Sequence, residues 1–266
     1  NDPAEEPEQL VEEELEDYGS YEETEIVRSE LVYRRRLGMA GLLFSGLMEL
    51  ILVSIAVMVQ VSDVFPMNAA LYLTSHLLVL GLMMLIHHRV IGDGFASLFR
   101  FRATADSAAA LASSAALLHT VLQFLNMAEV DSGLSPVFCA AAGLGLFGCA
   151  LGRQYRASRI CRNFRFVSHD SRKYAVQRVT DSAAAEQLGR TSVMMGEPSV
   201  AYARPAGFLS GFLESSYDED GGDDFLRRYV PLALVASLAA AVAYGFLGGE
   251  RANWWRAIAV FTASLC

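Results

Sequence analysis

Charged residues are scarce in this chain: they make up 19% of its 266 residues, whereas soluble proteins average about 25%. Their distribution deepens the deficit, since 13 of the 30 acidic residues fall within residues 1–30. The remainder contains long apolar runs with almost no charge. Runs of about 18 or more apolar residues are typical of membrane-spanning helices, so the composition excludes a soluble enzyme of this length.

Motifs of autonomous catalysis are also missing. The sequence has no Gly-x-x-x-x-Gly-Lys phosphate loop, no nucleophile elbow and no metalloprotease histidine pair. Its four cysteines include no Cys-x-x-Cys pair, and three lie in or near apolar runs, which argues against a secreted disulfide framework. No broad basic face with interleaved aromatic residues is present, so we expect no nucleic-acid partner.

Six apolar segments follow the acidic start, at residues 37–61, 67–86, 105–125, 134–151, 229–247 and 254–266. The first five have about 18–25 residues, enough to cross a hydrocarbon core of about 30 Å as helices. The sixth has about 13 residues and is too short to cross at a helical rise of about 1.5 Å per residue. We therefore expect an excerpt of a longer protein, cut inside its sixth helix.

These segments predict an all-α polytopic membrane protein with four helices, a cytoplasmic loop subdomain and two further helices, the last of them incomplete. Residues 1–30 are predicted to form an acidic disordered cytoplasmic tail, for which a short Glu-rich helix is the alternative. Residues 31–151 form a four-helix transmembrane region, and residues 152–228 form a cytoplasmic loop with a degenerate actuator-like subdomain. Residues 229–266 form the final helix pair.

The arginines fix the expected orientation. They cluster before the first segment, at 87–104 and at 152–228, whereas the connections on the other side carry only Arg251. By the positive-inside rule we expect a cytoplasmic N-terminus in the inner (plasma) membrane of a bacterium.

Three ionisable residues lie near the middle of predicted spans: Glu49, His76 and His119. Acids inside a membrane are costly and often belong to proton or ion paths, and neutral histidine also binds metals. The three side chains therefore form a candidate proton or cation relay. The alternative is structural: Glu49 joins helices as a protonated or hydrogen-bonded group, with Ser45, His76 or Gln60 as its partner.

Glycines in the fourth segment form a second pattern. The letters Gly-x-Gly-x-x-Gly at 143–148 lie inside a predicted span with no preceding strand, so they do not indicate a dinucleotide site. Small residues four positions apart instead let two helices approach closely. We expect helix packing or a kink at Gly143, Gly145, Gly148 and Gly152.

Four local stretches at helix ends point to a family. They are residues 101–106 (FRATAD), 151–159 (LGRQYRASR), 227–232 (RRYVPL) and 256–266 (RAIAVFTASLC). Together with the spacing of the segments, they resemble the heavy-metal-transporting P-type ATPases, in which four helices, an actuator loop and two more helices follow one another. The resemblance covers roughly residues 37–266 and implies transport of a transition-metal or other cation across the lipid bilayer.

The resemblance also implies site residues. In that family the sixth helix carries a cysteine metal motif and the actuator loop carries Thr-Gly-Glu. Cys266 is thus the implied soft metal ligand, and Glu197, in Met195-Gly196-Glu197, is the implied remnant of the actuator acid.

The chain departs from the family's pattern in ways that bear on its activity. It has no proline beside Cys266, no Asp-Lys-Thr-Gly phosphorylation motif and no nucleotide-binding domain. The chain is therefore expected to hold no cofactor and to be non-catalytic on its own. ATP and Mg²⁺ enter only if a catalytic region follows it.

Two other functions remain open. One is a non-enzymatic membrane scaffold or regulator whose acidic tail recruits partners. The other is a small proton or cation carrier that uses Glu49, His76 and His119. A phosphorylation motif shortly after Cys266 would favour the ATPase, and loss of transport on Glu49→Gln would favour the carrier.

Overall fold

The computed structural model describes residues 18–61, 68–126, 137–189, 200–218, 221–247 and 254–266, which are mostly helical. The helices are α1 (Thr24–Val61), α2 (Ala69–Ile86), α3 (His88–Phe99), α4 (Ala105–Leu125), α5 (Cys139–Val167), α6 (Ser182–Gly189), α7 (Phe212–Tyr217), α8 (Gly221–Leu247) and α9 (Trp254–Leu265). The strands are β1 (Lys173–Arg178) and β2 (Ala201–Ala206). Contacts divide the chain into a first unit, Asn1–Leu31 with Ile160–Asp218, and a second unit, Val32–Arg159 with Glu219–Cys266.

Within the described residues, four helices are long and apolar enough to cross a membrane, by length and composition: Tyr21–Met58, Ala69–Ile86, Ala105–Leu125 and Gly221–Leu247. They contain most of the first, second, third and fifth predicted segments. Helix α4 has the bounds predicted for the third segment, because Thr104 caps its first turn. The backbone N–H of Thr104 donates to the Ser107 hydroxyl at 3.2 Å.

The fourth predicted segment, 134–151, is not among these helices. Residues 134–136 lie outside the described residues, and α5 begins at Cys139, which leaves only residues 139–151 as its apolar part before Arg153. The helix then continues through the arginine-rich run to Val167, so its length comes from a polar extension. The sixth predicted segment forms the short helix α9, as its length led us to expect.

Helix α4 lies at the centre of the second unit, where it packs against α2, α3, α8 and α9. Its contacting face is built from small side chains, including Ala109, Ala112 and Ala116, which are buried. Small residues allow helix backbones to approach closely, which is how helices pack where neither water nor charge drives their association. The apolar core of this unit joins α4 to buried residues such as Leu52, Leu80 and Leu146.

Helix α3 occupies a connection that the sequence predicts as a cytoplasmic loop, and only His87 separates it from α2. A Cβ at Gly94 would meet the backbone carbonyl of Asp106 and, at 2.9 Å, the Cβ of Ala110. The Ser107 hydroxyl donates to the Gly94 carbonyl at 2.8 Å. Helices α3 and α4 therefore form a closely packed hairpin.

In the first unit, residues 21–30 are helical, which corrects the predicted disorder for that part of residues 1–30 and agrees with the alternative of a short helix there. Residues 1–17 lie outside the described residues. Tyr18 is fully buried and packs edge-on against Phe164, with ring centroids 5.0 Å apart. The Glu23 carboxylate accepts the backbone N–H groups of Gly19 and Ser20, which caps the turn leading into α1. Aromatic packing thus orders a segment whose acidic composition suggested a free tail.

The predicted all-α class needs one correction, because the first unit contains a two-stranded antiparallel sheet. Lys173 of β1 pairs with Ala206 of β2, and Arg178 pairs with Ala201. Five of six residues in β1 are exposed, so the sheet has no buried face. The sheet is small beside the helices of this unit. A folded subdomain in the 152–228 loop stays a prediction.

Candidate functional site: a buried carboxyl group

Glu49 lies on the buried face of α1, and its side chain is only 6% exposed. Neither carboxyl oxygen has a hydrogen-bond partner among the described residues. A Cβ on Gly143 of α5 would collide with Oε2 and would lie 3.3 Å from Leu52 Cδ1. The carboxyl group therefore occupies a space left by a glycine on the facing helix, in surroundings that are otherwise apolar.

None of the partners expected for a structural role of Glu49 bonds to its carboxyl group within the described residues. The Ser45 hydroxyl donates to the carbonyl of Leu42 at 3.0 Å, one turn back on its own helix. His76 uses Nδ1 to donate to the Tyr72 carbonyl at 2.9 Å. The side chain of Gln60 lies outside the described residues. The two described partners therefore do not satisfy the carboxyl group.

His76 resembles Glu49 in being fully buried with an unsatisfied atom. Its Nε2 has no hydrogen-bond partner among the described residues. His119 is also buried, and its Nε2 accepts a hydrogen bond from Nε2 of Gln123 at 3.3 Å. The sequence placed both histidines near the middle of predicted spans and gave no sign of Gln123 as a neighbour.

The four glycines of the fourth segment separate into two groups. Gly143 is closely packed against Glu49, as described above. At Gly145, Gly148 and Gly152, no atom of the described residues lies within 4 Å of where a Cβ would stand. Among these four glycines, close packing against the described residues is seen at Gly143 alone, and packing or a kink at the other three stays a prediction.

Cys139 is buried in the second unit, at the start of α5. The Thr120 hydroxyl and the Cys139 sulfur are 3.1 Å apart. Because the single hydroxyl proton of Thr120 goes to the Ala116 carbonyl at 2.8 Å, the Cys139 thiol is the donor. Sequence reasoning missed Cys139 and Thr120, since neither stands out within an apolar run.

No three His, Cys, Asp or Glu side chains of the described residues are grouped as a metal-binding set. The predicted relay residues Glu49, His76 and His119 thus do not form one three-ligand centre. Cys266, which is exposed at the end of the described chain, does not belong to such a centre either. Glu197, the implied actuator remnant, lies outside the described residues.

At the arginine-rich end of the bundle, Arg153 of α5 bridges two acids. Its Nη2 lies 2.6 Å from Asp93 of α3 and 2.6 Å from Asp106 of α4. Burial opposes the charge of Arg153, but Asp106 and Asp93 outweigh it and raise the pKa of the guanidinium. Burial, followed by Arg153 and His88, lowers the pKa of His87. This cluster joins α3, α4 and α5 and was not predicted.

Comparison of the chain with protein-family models, with curated proteins and with solved structures finds no match. The resemblance to the heavy-metal P-type ATPases therefore stays a prediction.

Proposed function

We propose that this chain is an integral membrane protein that carries a proton or a cation through its helical bundle, with Glu49 as the group that binds it. Four helices long and apolar enough to cross a membrane support the membrane placement. The arginine distribution supports a cytoplasmic N-terminus in a bacterial plasma membrane. The observation that carries the proposal is the buried Glu49 carboxyl group, which lacks a hydrogen-bond partner among the described residues.

The physical argument rests on the cost of burying charge. An ionised carboxylate is very unfavourable in apolar surroundings unless a partner compensates it. Glu49 therefore holds either a proton or a cation while it stays where it is. A carboxyl group that takes up such an ion from water at one surface and releases it at the other provides the chemistry of proton-linked transport.

Proton flux through vesicles containing the purified chain tests the proposal. The vesicles are loaded with a pH-sensitive dye, and a pH jump or a pulse of Zn²⁺ is applied outside. We expect the proton flux to exceed that of empty vesicles. Glu49→Gln should reduce the flux to that background, because an amide does not take up or release a proton near neutral pH. A folded Glu49→Gln protein with unchanged flux would contradict the proposal.

Two glycines of α5 give a matched pair of variants. Gly143→Ala places a methyl group against the Glu49 carboxyl group and should move it, so the flux should fall several-fold. Gly145→Ala introduces the same change on the same helix, where no described atom lies within 4 Å, and should leave the flux unchanged. Equal effects of the two variants would show that helix propensity, and not the carboxyl position, sets the rate.

The second candidate is the more specific one, the membrane part of a heavy-metal P-type ATPase. It is favoured by the four stretches at helix ends, residues 101–106, 151–159, 227–232 and 256–266, which resemble that family. The sequence that follows Cys266 decides this candidate, since it requires a phosphorylation motif there.

A further inference from the structure

The connection between α3 and α4 has an unusual exposed end. Helix α3 follows α2 after one residue, and α4 begins five residues after α3 ends. Because α2 and α4 are both candidate spans, α3 lies at the surface of any membrane that they cross. Val90 and Gly94 of α3 are buried, and Gly94 faces α4, whereas Phe99 at the end of α3 is exposed.

Phe101 occupies a backbone position that normally belongs to glycine. Its φ is +56°, the left-handed region, which is a rare conformation for a bulky side chain. The Phe101 N–H bonds to the Leu98 carbonyl at 3.0 Å, and the Arg102 N–H bonds to the Ser97 carbonyl at 2.9 Å. This pair of bonds is the Schellman ending of a helix, with phenylalanine where glycine is usual.

Apart from these two hydrogen bonds, no packing of the Phe101 side chain within the described residues offsets the strain. The Phe101 side chain is 97% exposed, and that of Phe99 is 80% exposed. In water, two bare phenyl rings gain nothing from the positions they hold, and a glycine would relieve the backbone. An apolar layer outside the protein would bury both rings and make the conformation favourable.

The charges beside the rings indicate which layer this is. Arg100 and Arg102 alternate with the two phenylalanines and are exposed, and no acid of the described residues pairs with either. The nearby acids, Asp93 and Asp106, both bind Arg153. Aromatic rings next to guanidinium groups match the boundary of a bilayer, where acyl chains meet phosphates.

We propose that residues 99–102 form a docking surface for anionic lipid headgroups, with Phe99 and Phe101 inserted below the phosphates and Arg100 and Arg102 bound to them. The phosphates belong to the leaflet at the arginine-rich ends of α2 and α4. This inference rests on the membrane placement proposed above. It requires no transport activity, and it adds a lipid specificity that transport does not imply.

The test compares the full chain in nanodiscs of phosphatidylcholine alone and with phosphatidylglycerol, by the unfolding temperature Tm. We expect phosphatidylglycerol to raise the Tm of the wild type, and we expect Arg100→Gln/Arg102→Gln to lose more than half of that gain. Phe101→Gly should not raise the Tm in phosphatidylcholine, because the loss of a ring buried among acyl chains offsets the relief of strain, and it should reduce the gain from the anionic lipid. A merely structural turn would give a higher Tm in phosphatidylcholine and an unchanged gain.

A matched control is available on α5, where Arg165 and Phe166 are adjacent and exposed. Arg165→Gln/Phe166→Ala should keep the full gain. If Arg100→Gln/Arg102→Gln also keeps it, the inference is overturned. Glycerol phosphate added to phosphatidylcholine discs should not reproduce the gain, and if it does, the ligand is a soluble phosphate and not the leaflet.

The failure of the membrane placement is recognised separately. Extraction of native membranes with alkaline carbonate should leave the wild-type chain in the pellet. Release into the supernatant would remove the membrane placement itself, whereas retention together with an unchanged lipid gain in the arginine variant would remove only the docking surface.

Discussion

Replacing Arg153 by glutamine should destabilise the second unit by about 2 kcal/mol, and most of the loss should come from Asp106. The Arg153 side chain is 39% exposed, Asp106 is 23% exposed and Asp93 is 57% exposed. Exposed ion pairs contribute about 0.2–1 kcal/mol, while breaking a fully buried pair costs about 3–5 kcal/mol. Interpolating by exposure assigns about 1.5 kcal/mol to the pair with Asp106 and about 0.5 kcal/mol to the pair with Asp93.

The assay is unfolding of the purified chain in mixed detergent micelles, with two double-mutant cycles. Asp106 lies in the first turn of α4, where a negative charge gains about 0.3–1 kcal/mol from the helix dipole, so Asp106→Asn alone overstates the pair. The coupling energy in the cycle with Arg153→Gln removes this contribution. The second cycle pairs Arg153→Gln with Asp93→Asn.

Two results would refute the reasoning. One is a coupling energy for Arg153 with Asp106 that does not exceed the coupling with Asp93, since burial would then not set the strength. The other is an equal loss of both couplings at high salt, because screening should weaken the exposed Asp93 pair more than the half-buried Asp106 pair.

Two further outcomes are expected from the same end of the bundle. Gly94→Ala should lower the free energy of unfolding by about 1–3 kcal/mol, because the new methyl group forces α3 away from the Asp106 carbonyl. Gly92→Ala, where no described atom lies within 4 Å of the added Cβ, should raise it by about 0.5–1 kcal/mol. Equal effects of the two variants in the unfolding assay would contradict the hairpin packing. Because the pKa of His87 is lowered in the folded protein, the unfolded chain binds the proton first, so stability is fully present above about pH 6.5 and falls as the pH drops through the lowered pKa. His87→Gln should remove this acid-side loss in unfolding measured against pH, and an unchanged pH profile would show that His87 is not its source.

The helices themselves could be predicted from the sequence where a long apolar run carries its own boundary signals. The bounds of α4 were predicted because Thr104 and Ser107 form a cap next to a continuous apolar run. The start of α1 was not, because acidic composition indicates disorder and the order there comes from Tyr18 packing on Phe164, two residues far apart in the sequence. Helix α3 was not predicted because its charged residues and glycines indicated a loop. Val90 and Gly94 lie one turn apart on its buried face, but two such residues are too few to indicate a helix.

The candidate site was predicted in its residues but not in its arrangement. Glu49 stood out because acids are rare in apolar runs, and its burial follows from that position. Which helix faces it does not follow, since periodicity shows that a helix has a buried side but does not name the neighbour. Gly143 was noticed for its spacing with other glycines, while its actual role is to make room for the Glu49 carboxyl group.

The contacts between α1 and α5 show how the acid is held. At one contact, a Cβ on Gly38 would come within 2.6 Å of Gln154 Oε1, and the same glutamine donates through Nε2 to the Arg35 carbonyl at 3.1 Å. There a glycine admits a polar side chain that reaches across and bonds to the facing helix, which is how polar groups join helices. At Gly143, a glycine admits Glu49, but the carboxyl group makes no such bond within the described residues. The chain uses the bonded arrangement at one end of this interface, and the unbonded carboxyl group of Glu49 supports the proposal that it binds a proton or a cation.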